Sequence, residues 1–247
     1  AFLERFSANG ITRAMLKVSY AMAENTFAVT QTAPDTPARL DIIDRAALEH
    51  ERRAVPVEAD SPLASTRVSC GAPIIGTHVQ AVDADGHALP ERHVGELAVK
   101  SDCMLTEYYQ RPDLNPFTAE GWYRTGDMGY IADGEIYVIG RSKDLIINAG
   151  KNVYPQDIEA IANKVEGVHA GRAVAFGVYD EREGTELIAL VAEAKTDDPA
   201  ERRKIAQRIR QTVAQQSTVS VTWVTLVDSK WLIKTSSGKI ARAANRD

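Results

Sequence analysis

The sequence predicts a mixed α/β and α+β fold, in which a β-rich first part precedes a smaller α+β domain. Between Thr66 and Ile139, short alternating apolar runs are separated by turn dipeptides, as expected for antiparallel strands. After Arg141, two amphipathic helical stripes are interspersed with continuous apolar runs of strand length. We therefore expect one domain over residues 1–140 and a second over residues 141–247, each with its own core.

The first 66 residues give weaker signals. Met15–Tyr20 is apolar enough for a buried strand that leads into a turn at residues 21–25. Residues 31–66 contain four prolines and the charged stretch Asp41–Glu49, a pattern that predicts an irregular excursion with one short helix. A long surface loop and a functional insertion explain this excursion equally well.

The clearest local signal is Asp133-Gly134, which separates the alternating runs Gly129–Ala132 and Glu135–Ile139. Both residues of an Asp-Gly pair tolerate a positive φ, so the pattern predicts a tight hairpin. Two further strands are predicted earlier in the chain, at Val79–Val82 and Gly95–Lys100.

Pro155 and Asp198 mark the starts of the two predicted helices in the second part. Proline suits the first helical turn, and Asp198 with Glu201 resembles a capping box. The apolar faces that follow are Ile158, Ile161, Ala162 and Val165 in the first helix and Ile205, Ile209 and Val213 in the second. The predicted strands of this part are Ala173–Val178, Leu187–Ala192 and Val221–Val227.

Composition excludes several classes of protein. The 29 Lys and Arg residues against 34 Asp and Glu residues give a net charge of −5, which argues against binding driven by nucleic-acid phosphates. We find no secretory leader and no apolar run that could span a bilayer. Cys70 and Cys103 are expected to be reduced, half-buried thiols, and the five scattered histidines do not predict a metal site. These features predict a cytoplasmic protein that begins, at Ala1, inside a truncated or processed chain.

Three short motifs could carry chemistry. In Thr125-Gly-Asp127, a carboxylate on a tight turn could accept two hydrogen bonds from a vicinal diol, although the motif is equally an ordinary turn. In Gly140-Arg-Ser-Lys-Asp144, Arg141 could fork onto ribose or phosphate oxygens, although a charged linker has the same composition. In Lys234-Thr-Ser-Ser-Gly-Lys239, a lysine could stabilise developing negative charge, although such tails are usually only solvated.

Taken together, these motifs resemble the acyl-adenylate-forming (AMP-binding) enzymes, a superfamily of acyl-CoA synthetases, fatty acyl-AMP ligases, luciferases and peptide-synthetase adenylation domains. The resemblance is carried by Gly121–Gly129, Gly140–Gly150, Tyr154–Glu159 and Lys234–Lys239, and it covers essentially the whole chain. It implies the β-rich end of a large nucleotide- and acyl-binding N-terminal domain, followed by a small mobile C-terminal lid domain.

The resemblance also implies roles for individual residues. Asp127 would hold the ribose of ATP, Arg141 would contact the nucleotide, and Lys143 would be the pivot of the hinge. In the second reaction the Gly150 loop would line a tunnel for the pantetheine arm. Lys239 would lie between the substrate carboxylate and the α-phosphate. In Ser19–Asn25, Tyr20 would stack on adenine and Glu24 would hold Mg²⁺. This segment departs from the family pattern at Ala21, which replaces a glycine, and at Ala23, which replaces a threonine that contacts the α-phosphate.

The pattern Tyr-x-Met-Ala-Glu, together with Asp44–Glu49 and Asn152–Glu159, is typical of the fatty acyl-AMP ligase branch. In that branch residues 33–65 would be the insertion that restrains domain movement and disfavours coenzyme A. The implied reaction joins a fatty acid to ATP and then passes the acyl group to a phosphopantetheine thiol, that of an acyl carrier protein or, as an alternative, of coenzyme A.

A glycine-rich phosphate loop, which this chemistry also needs, is absent from the sequence. The resemblance therefore implies the C-terminal part of an enzyme that is not active by itself. A non-catalytic binding or regulatory module is the alternative from another class. The acyl chain length and the oligomeric state are not predicted.

Overall fold

The structure is a computed structural model that describes residues 2–246. It divides into two compact units, one ending at Ser142 and the other beginning at Lys143. The first unit contains α1 (Phe2–Phe6), β1 (Ser19–Ala21), β2 (Ala28–Gln31), β3 (Leu40–Asp44), α2 (Arg45–Glu51), β4 (Ala64–Val68), β5 (Ala72–Pro73), β6 (Thr77–Val82), β7 (Gly95–Ser101), β8 (Tyr123–Ala132) and β9 (Glu135–Arg141). The second contains β10 (Ile146–Asn148), β11 (Lys151–Val153), α3 (Pro155–Ala162), β12 (Val168–Asp180), β13 (Thr185–Ala194), α4 (Pro199–Gln216), β14 (Trp223–Val227) and α5 (Arg242–Arg246).

The main sheet of the first unit is antiparallel, with strand order β6-β7-β8-β9. Its last hairpin turns at Asp133 and Gly134, whose φ values are 52° and 73°, and closes with Ala132 opposite Glu135. The Asp-Gly hairpin predicted from the sequence is thereby confirmed. Tyr130 pairs with Tyr137 and Ile131 with Ile136, so Tyr130 and Ile136 lie on opposite faces of the sheet. Because both side chains are fully or almost fully buried, both faces of this hairpin are covered.

The excursion at residues 31–66 is more regular than the sequence predicts. Asp41–Asp44, the start of the charged stretch, lies in β3, a strand that the sequence did not predict and that pairs antiparallel with β4. The helix begins only after Asp44, whose carboxylate accepts a hydrogen bond from the backbone N–H of Ala47 at 2.9 Å. Ile43 and Leu48 are fully buried. The interpretation as a long surface loop is therefore wrong, while the role as an insertion stays a prediction.

A buried carboxylate fastens this excursion to the main sheet. Asp41 accepts hydrogen bonds from the Tyr130 hydroxyl at 2.9 Å and from Arg92 Nη1 at 3.0 Å. Burial, and then the charge of Asp41, raise the pKa of Tyr130, so its hydroxyl remains a donor. Removing Asp41 would leave the Tyr130 hydroxyl without this acceptor in a poorly solvated place, whereas Arg92 Nη1 would keep the carbonyl of Ala54 at 3.2 Å.

The predicted buried strand at Met15–Tyr20 is wrong in extent and in burial. The strand comprises only Ser19–Ala21, and a short 3₁₀ turn precedes it at Arg13–Met15. Met15 and Leu16 are 59% and 39% exposed. Because β1 is an edge strand of the small sheet β1-β2-β5, it has a neighbour on one side only, which limits how much of it is covered.

At Gly71 the backbone passes so close to the backbone of Gln31 that no side chain fits between them. The φ of Gly71 is +89°, and a Cβ there would lie 2.1 Å from the carbonyl carbon of Gln31. We expect Gly71→Ala to lower the free energy of unfolding by about 3 kcal/mol or more, because the clash adds to the left-handed strain. Gly86→Ala is the matched control: its φ is also +89°, but its added Cβ meets open space. Equal losses in urea-unfolding midpoints for the two variants would contradict this prediction.

The second unit is built on a three-stranded sheet of order β12-β13-β14, antiparallel between the first pair and parallel between the second. Helices α3 and α4 pack their apolar faces against it, which confirms the two predicted helices. The stripe predicted for the first helix is one residue too long, because α3 ends at Ala162 and Val165 is buried in the segment that follows. The core includes Ile158, Ala162, Ile188, Leu190, Ile205, Ile209 and Val213.

The start of α4 differs from the prediction in one contact. Asp198 caps the helix by accepting a hydrogen bond from the N–H of Ala200 at 2.9 Å. Glu201 does not complete a capping box; its carboxylate pairs with Lys204 and Arg208 further along the helix. The long basic side chains lie within reach one and two turns later, where they compete for Glu201.

Neither cysteine is in a disulfide. Cys70 is half-buried, as predicted, and burial raises the pKa of its thiol. Cys103, expected to be half-buried, is exposed. Among residues 2–246 no helix combines the length and apolarity that crossing a bilayer requires.

Candidate nucleotide site

Three predicted site residues, Tyr20, Asp127 and Arg141, are in direct contact in the first unit. The Tyr20 hydroxyl donates to Asp127 Oδ2 at 2.6 Å, and Arg141 Nε lies 3.1 Å from Asp127 Oδ1. Asp127 and Arg141 are partners across β8 and β9, while Tyr20 comes from β1. The Asp127 side chain is 13% exposed and that of Arg141 is 56% exposed. The cluster thus combines a shielded carboxylate with a cation that reaches solvent.

The turn that presents Asp127 is held by hydrogen bonds from both sides. Thr125 Oγ1 donates to the carbonyl of Leu97 at 2.7 Å and accepts from the N–H of Asp127 at 3.0 Å. Gly126 has a φ of +71°, and its N–H donates to Glu96 Oε1 at 2.9 Å. The opposite oxygen of Glu96 pairs with Arg124.

Glu96 and Arg124 were missed in the sequence, although they fix the turn. Glu96 lies 31 positions before Asp127 (127 − 96) in another strand, so no local spacing links them. Only the pairing of β7 with β8, with its irregularity between Glu96 and Ala98, brings the two segments together. A bulge changes which residues face each other, which sequence periodicity does not reveal.

Electrostatics keep Tyr20 protonated. Burial raises the pKa of its phenol most, and the charge of Asp127 raises it further. Tyr20 therefore donates to Asp127 at any physiological pH. A carboxylate has about four lone-pair positions. Asp127, already bonded once at each oxygen, can still accept from further donors such as a diol.

Glu24 forms a second cluster with two tyrosines. Glu24 Oε1 accepts a hydrogen bond from Tyr108 at 3.1 Å, and the Tyr108 and Tyr123 hydroxyls are 2.8 Å apart. Burial, and then the bond to Tyr108, raise the pKa of Tyr123. Glu24 is only half-buried. A partly exposed carboxylate held by hydrogen bonds fits Mg²⁺, which takes one or two carboxylates and completes its shell with phosphate oxygens and water. Sequence patterns gave no signal for Tyr108.

The other three predicted residues belong to the second unit. Lys143 is exposed within the 3₁₀ turn Ser142–Asp144, where one unit ends and the other begins. Gly150 is exposed in the turn between β10 and β11, ahead of α3. The functional roles of both residues stay predictions.

Lys239 lies on a closed loop. Thr235 N–H donates to the carbonyl of Lys239 at 2.8 Å, and Lys234 forms a β-bridge with Ile240. The Lys239 side chain is exposed and forms no ion pair within residues 2–246. The loop therefore presents an ammonium group that is free to meet a ligand.

No family model matches the chain. Its sequence is 33% identical to the long-chain-fatty-acid–AMP ligase FadD32 of Mycolicibacterium smegmatis, over 99% of this chain and 45% of that protein. Over nearly its whole length the chain is similar to fatty acyl-AMP ligases of the acyl-adenylate-forming superfamily. It is equally 33% identical to a Caulobacter vibrioides protein whose name assigns it provisionally to the acyl-CoA synthetases, over 98% of this chain and 42% of that protein.

Solved structures of superfamily members support the same conclusion. A fatty acyl-adenylate ligase from a study of the E. coli and L. pneumophila enzymes is 30% identical and superimposes with a TM-score of 0.86, over 99% of this chain and 43% of the other. McyG, solved with phenylalanyl-adenylate, gives a TM-score of 0.80 at 26% identity, over 99% of this chain and 35% of the other. The chain therefore spans less than half the length of these relatives.

Proposed function

We propose that these residues are part of an ATP-dependent fatty acyl-AMP ligase. A carboxylate oxygen of the fatty acid attacks the α-phosphorus of ATP, the bond to pyrophosphate breaks, and an acyl-AMP mixed anhydride forms. The cluster of Tyr20, Asp127 and Arg141 is the observation that carries the proposal, because it offers a shielded diol acceptor beside an exposed cation. The names of the FadD32 and FadD26 relatives support fatty acids as the substrate class.

Each residue of the cluster has a distinct task in this proposal. Asp127 accepts hydrogen bonds from the ribose hydroxyls, and its position is set by the Thr125 and Glu96 contacts. Arg141 neutralises Asp127 and extends its exposed guanidinium to nucleotide oxygens. Tyr20 anchors its hydroxyl on Asp127, which orients the ring for stacking on adenine.

Mg²⁺, held by Glu24, would neutralise phosphate charge and orient the leaving pyrophosphate. The Tyr108 hydroxyl fixes one oxygen of Glu24 and so orients the carboxylate. Lys239 would stabilise the charge that develops between the attacking carboxylate and the α-phosphate.

In the second reaction a phosphopantetheine thiolate attacks the acyl carbonyl, and AMP leaves. We propose an acyl carrier protein as the donor of that thiol, with the Gly150 turn lining the path of its arm. The phosphate-cradling loop and much of the acyl pocket would be supplied by parts of the enzyme outside these 247 residues. This agrees with the 42–45% of its curated relatives that the chain spans.

The proposal is tested by acyl-dependent exchange of labelled pyrophosphate into ATP, catalysed by the full-length protein. We expect exchange with fatty acids and none without them, together with an acyl-AMP product in the mass spectrum. Pyrophosphate exchange that does not depend on the acid would contradict the assignment.

The Caulobacter relative supports a second candidate, an acyl-CoA synthetase. Offering coenzyme A and a holo acyl carrier protein side by side separates the two candidates. Our proposal expects transfer to the carrier protein at the higher rate, whereas preferential formation of acyl-CoA would favour the synthetase.

A non-catalytic binding module is the alternative from another class, since the chain lacks a recognisable phosphate loop. Calorimetry of the 247-residue chain with a non-hydrolysable acyl-adenylate analogue tests it. Heat that is lost in Asp127→Asn would support the nucleotide site, while absence of heat would favour a pure interaction module.

Lys143 gives a prediction about the order of the two reactions. Proline at this position removes an N–H and restricts the backbone where the units join. We expect Lys143→Pro to slow acyl transfer more than adenylation, because only the second reaction requires the chain to pivot after the first. Single-turnover measurements of each half-reaction test this prediction. Equal losses of rate in both half-reactions would contradict the assignment of Lys143 as the pivot.

A further inference from the structure

Arg242, in α5, bonds to three acceptors of the second unit through its guanidinium. Its Nη1 lies 2.6 Å from Asp144 Oδ2, its Nη2 lies 2.7 Å from Glu159 Oε1, and its Nε donates to the carbonyl of Ala175 at 2.9 Å. Its side chain is only 16% exposed. All three nitrogens of the guanidinium are therefore engaged by acceptors from three separate elements.

The three acceptors come from separate elements of the second unit. Asp144 ends the 3₁₀ turn that contains Lys143, Glu159 lies in α3 and Ala175 lies in β12. Glu159 also accepts the N–H of Ala175 at 2.9 Å. Burial raises the pKa of Glu159, and the charge of Arg242 opposes that rise. Without Arg242, two carboxylates would be left facing each other in a shielded place.

Arg242 is also next to the loop that carries Lys239. Asn245 closes the neck of this loop: its Oδ1 accepts the N–H of Ile233 and its Nδ2 donates to the carbonyl of Ile233, both at 2.9 Å. The N–H of Ala241 donates to the same carbonyl at 3.0 Å. Residues 234–240 thus form a closed loop, and the residue after its neck is Arg242.

We propose that Arg242 is a positioning residue that couples the pivot segment at Lys143 to the loop carrying Lys239. The inference rests on the proposed function, since it assigns Lys239 to the adenylation step. The rigid guanidinium holds the loop at a fixed position relative to Asp144, so a change in the position of the pivot segment also moves the Lys239 ammonium. A lysine cannot replace the arginine because it lacks the planar fork that meets three acceptors at once.

The test compares Arg242→Gln and Arg242→Lys with the full-length wild-type enzyme in two separate measurements. Pyrophosphate exchange reports adenylation, and transfer from preformed acyl-AMP reports the second step. We expect adenylation to fall about 10- to 100-fold in both variants, because a displacement on the scale of 1 Å is costly for a catalytic group. Transfer from acyl-AMP should change much less. In a Lys239→Ala background, Arg242→Gln should have little further effect on adenylation.

Arg202→Gln is the matched control. Arg202 is 22% exposed, pairs with Asp197 and Asp228, and donates to the carbonyl of Thr196, but it does not touch the pivot segment or the Lys239 loop. We expect Arg202→Gln to lower the unfolding temperature without changing the ratio of the two half-reactions. An Arg242→Gln variant that slows both steps equally, as general destabilisation would, overturns the proposal, as does one that slows neither.

Hydrogen exchange separates this proposal from the proposed function. Arg242→Gln should increase amide exchange both in residues 233–241 and in residues 142–146, whereas Arg202→Gln should not. If the wild-type enzyme makes no acyl-AMP but the exchange result holds, the proposed function fails and the coupling stands. If the wild-type enzyme is active but exchange rises in only one of the two segments, the coupling fails.

Discussion

Lys239→Ala is expected to lower the rate of acyl-dependent pyrophosphate exchange by about 10²- to 10³-fold, the usual loss when one preorganised stabiliser of transition-state charge is removed. The Lys239 side chain is exposed and forms no ion pair within residues 2–246, so its removal leaves no buried partner unsatisfied. The unfolding temperature should therefore stay within about 2 °C of the wild type, as is usual for exposed sites. Steady-state exchange with a fatty acid substrate measures the rate.

Lys234→Ala is the control for this variant. It removes the same charge from the same loop, five positions earlier (239 − 234), and we expect at most a small change in rate. Similar losses in the two variants would mean that the loop contributes only general positive charge. Undiminished adenylation in Lys239→Ala would remove this lysine from the mechanism.

Asp127→Asn is expected to weaken nucleotide binding and lower adenylation by about 10- to 100-fold, because hydrogen bonds to a charged group contribute about 1.5–3 kcal/mol. The amide keeps the shape of the side chain but presents only one acceptor oxygen to Tyr20, Arg141 and the ribose. Titration of the enzyme with ATP, followed by pyrophosphate exchange, measures both effects.

Asp133→Asn is the matched control in the same sheet. Asp133 is 74% exposed, and its carboxylate lies 3.6 Å from Arg92 Nη2. Asparagine tolerates the positive φ of this turn, so the fold should be unaffected. Deoxy-ATP analogues lacking a ribose hydroxyl give a second check. If Asp127 holds the diol, the wild type should discriminate against them more strongly than Asp127→Asn does; equal discrimination would contradict the assignment.

Much of the fold could be predicted because local signals agreed with one another. Asp133-Gly134 specified a hairpin through its tolerance of positive φ, and Pro155 marked the start of α3. The errors occurred where long-range pairing overrides local pattern. Asp41–Asp44 becomes a strand because β4, 20 or more residues later, pairs with it. Met15 is exposed because it lies in a 3₁₀ turn before β1 and pairs with no strand.

The sequence by itself determined which residue types are available for chemistry and, through its motifs, which superfamily the chain resembles. Such information is local, since Thr125-Gly-Asp127 and Lys234–Lys239 are contiguous segments. Only the tertiary structure decided what those residues touch. The partners of Asp127 come from β1 and β9, its turn is held from β7, and Arg242 joins three elements of the second unit. The physical reason is that strand register and burial place these partners together, and both depend on pairings between segments far apart in the chain.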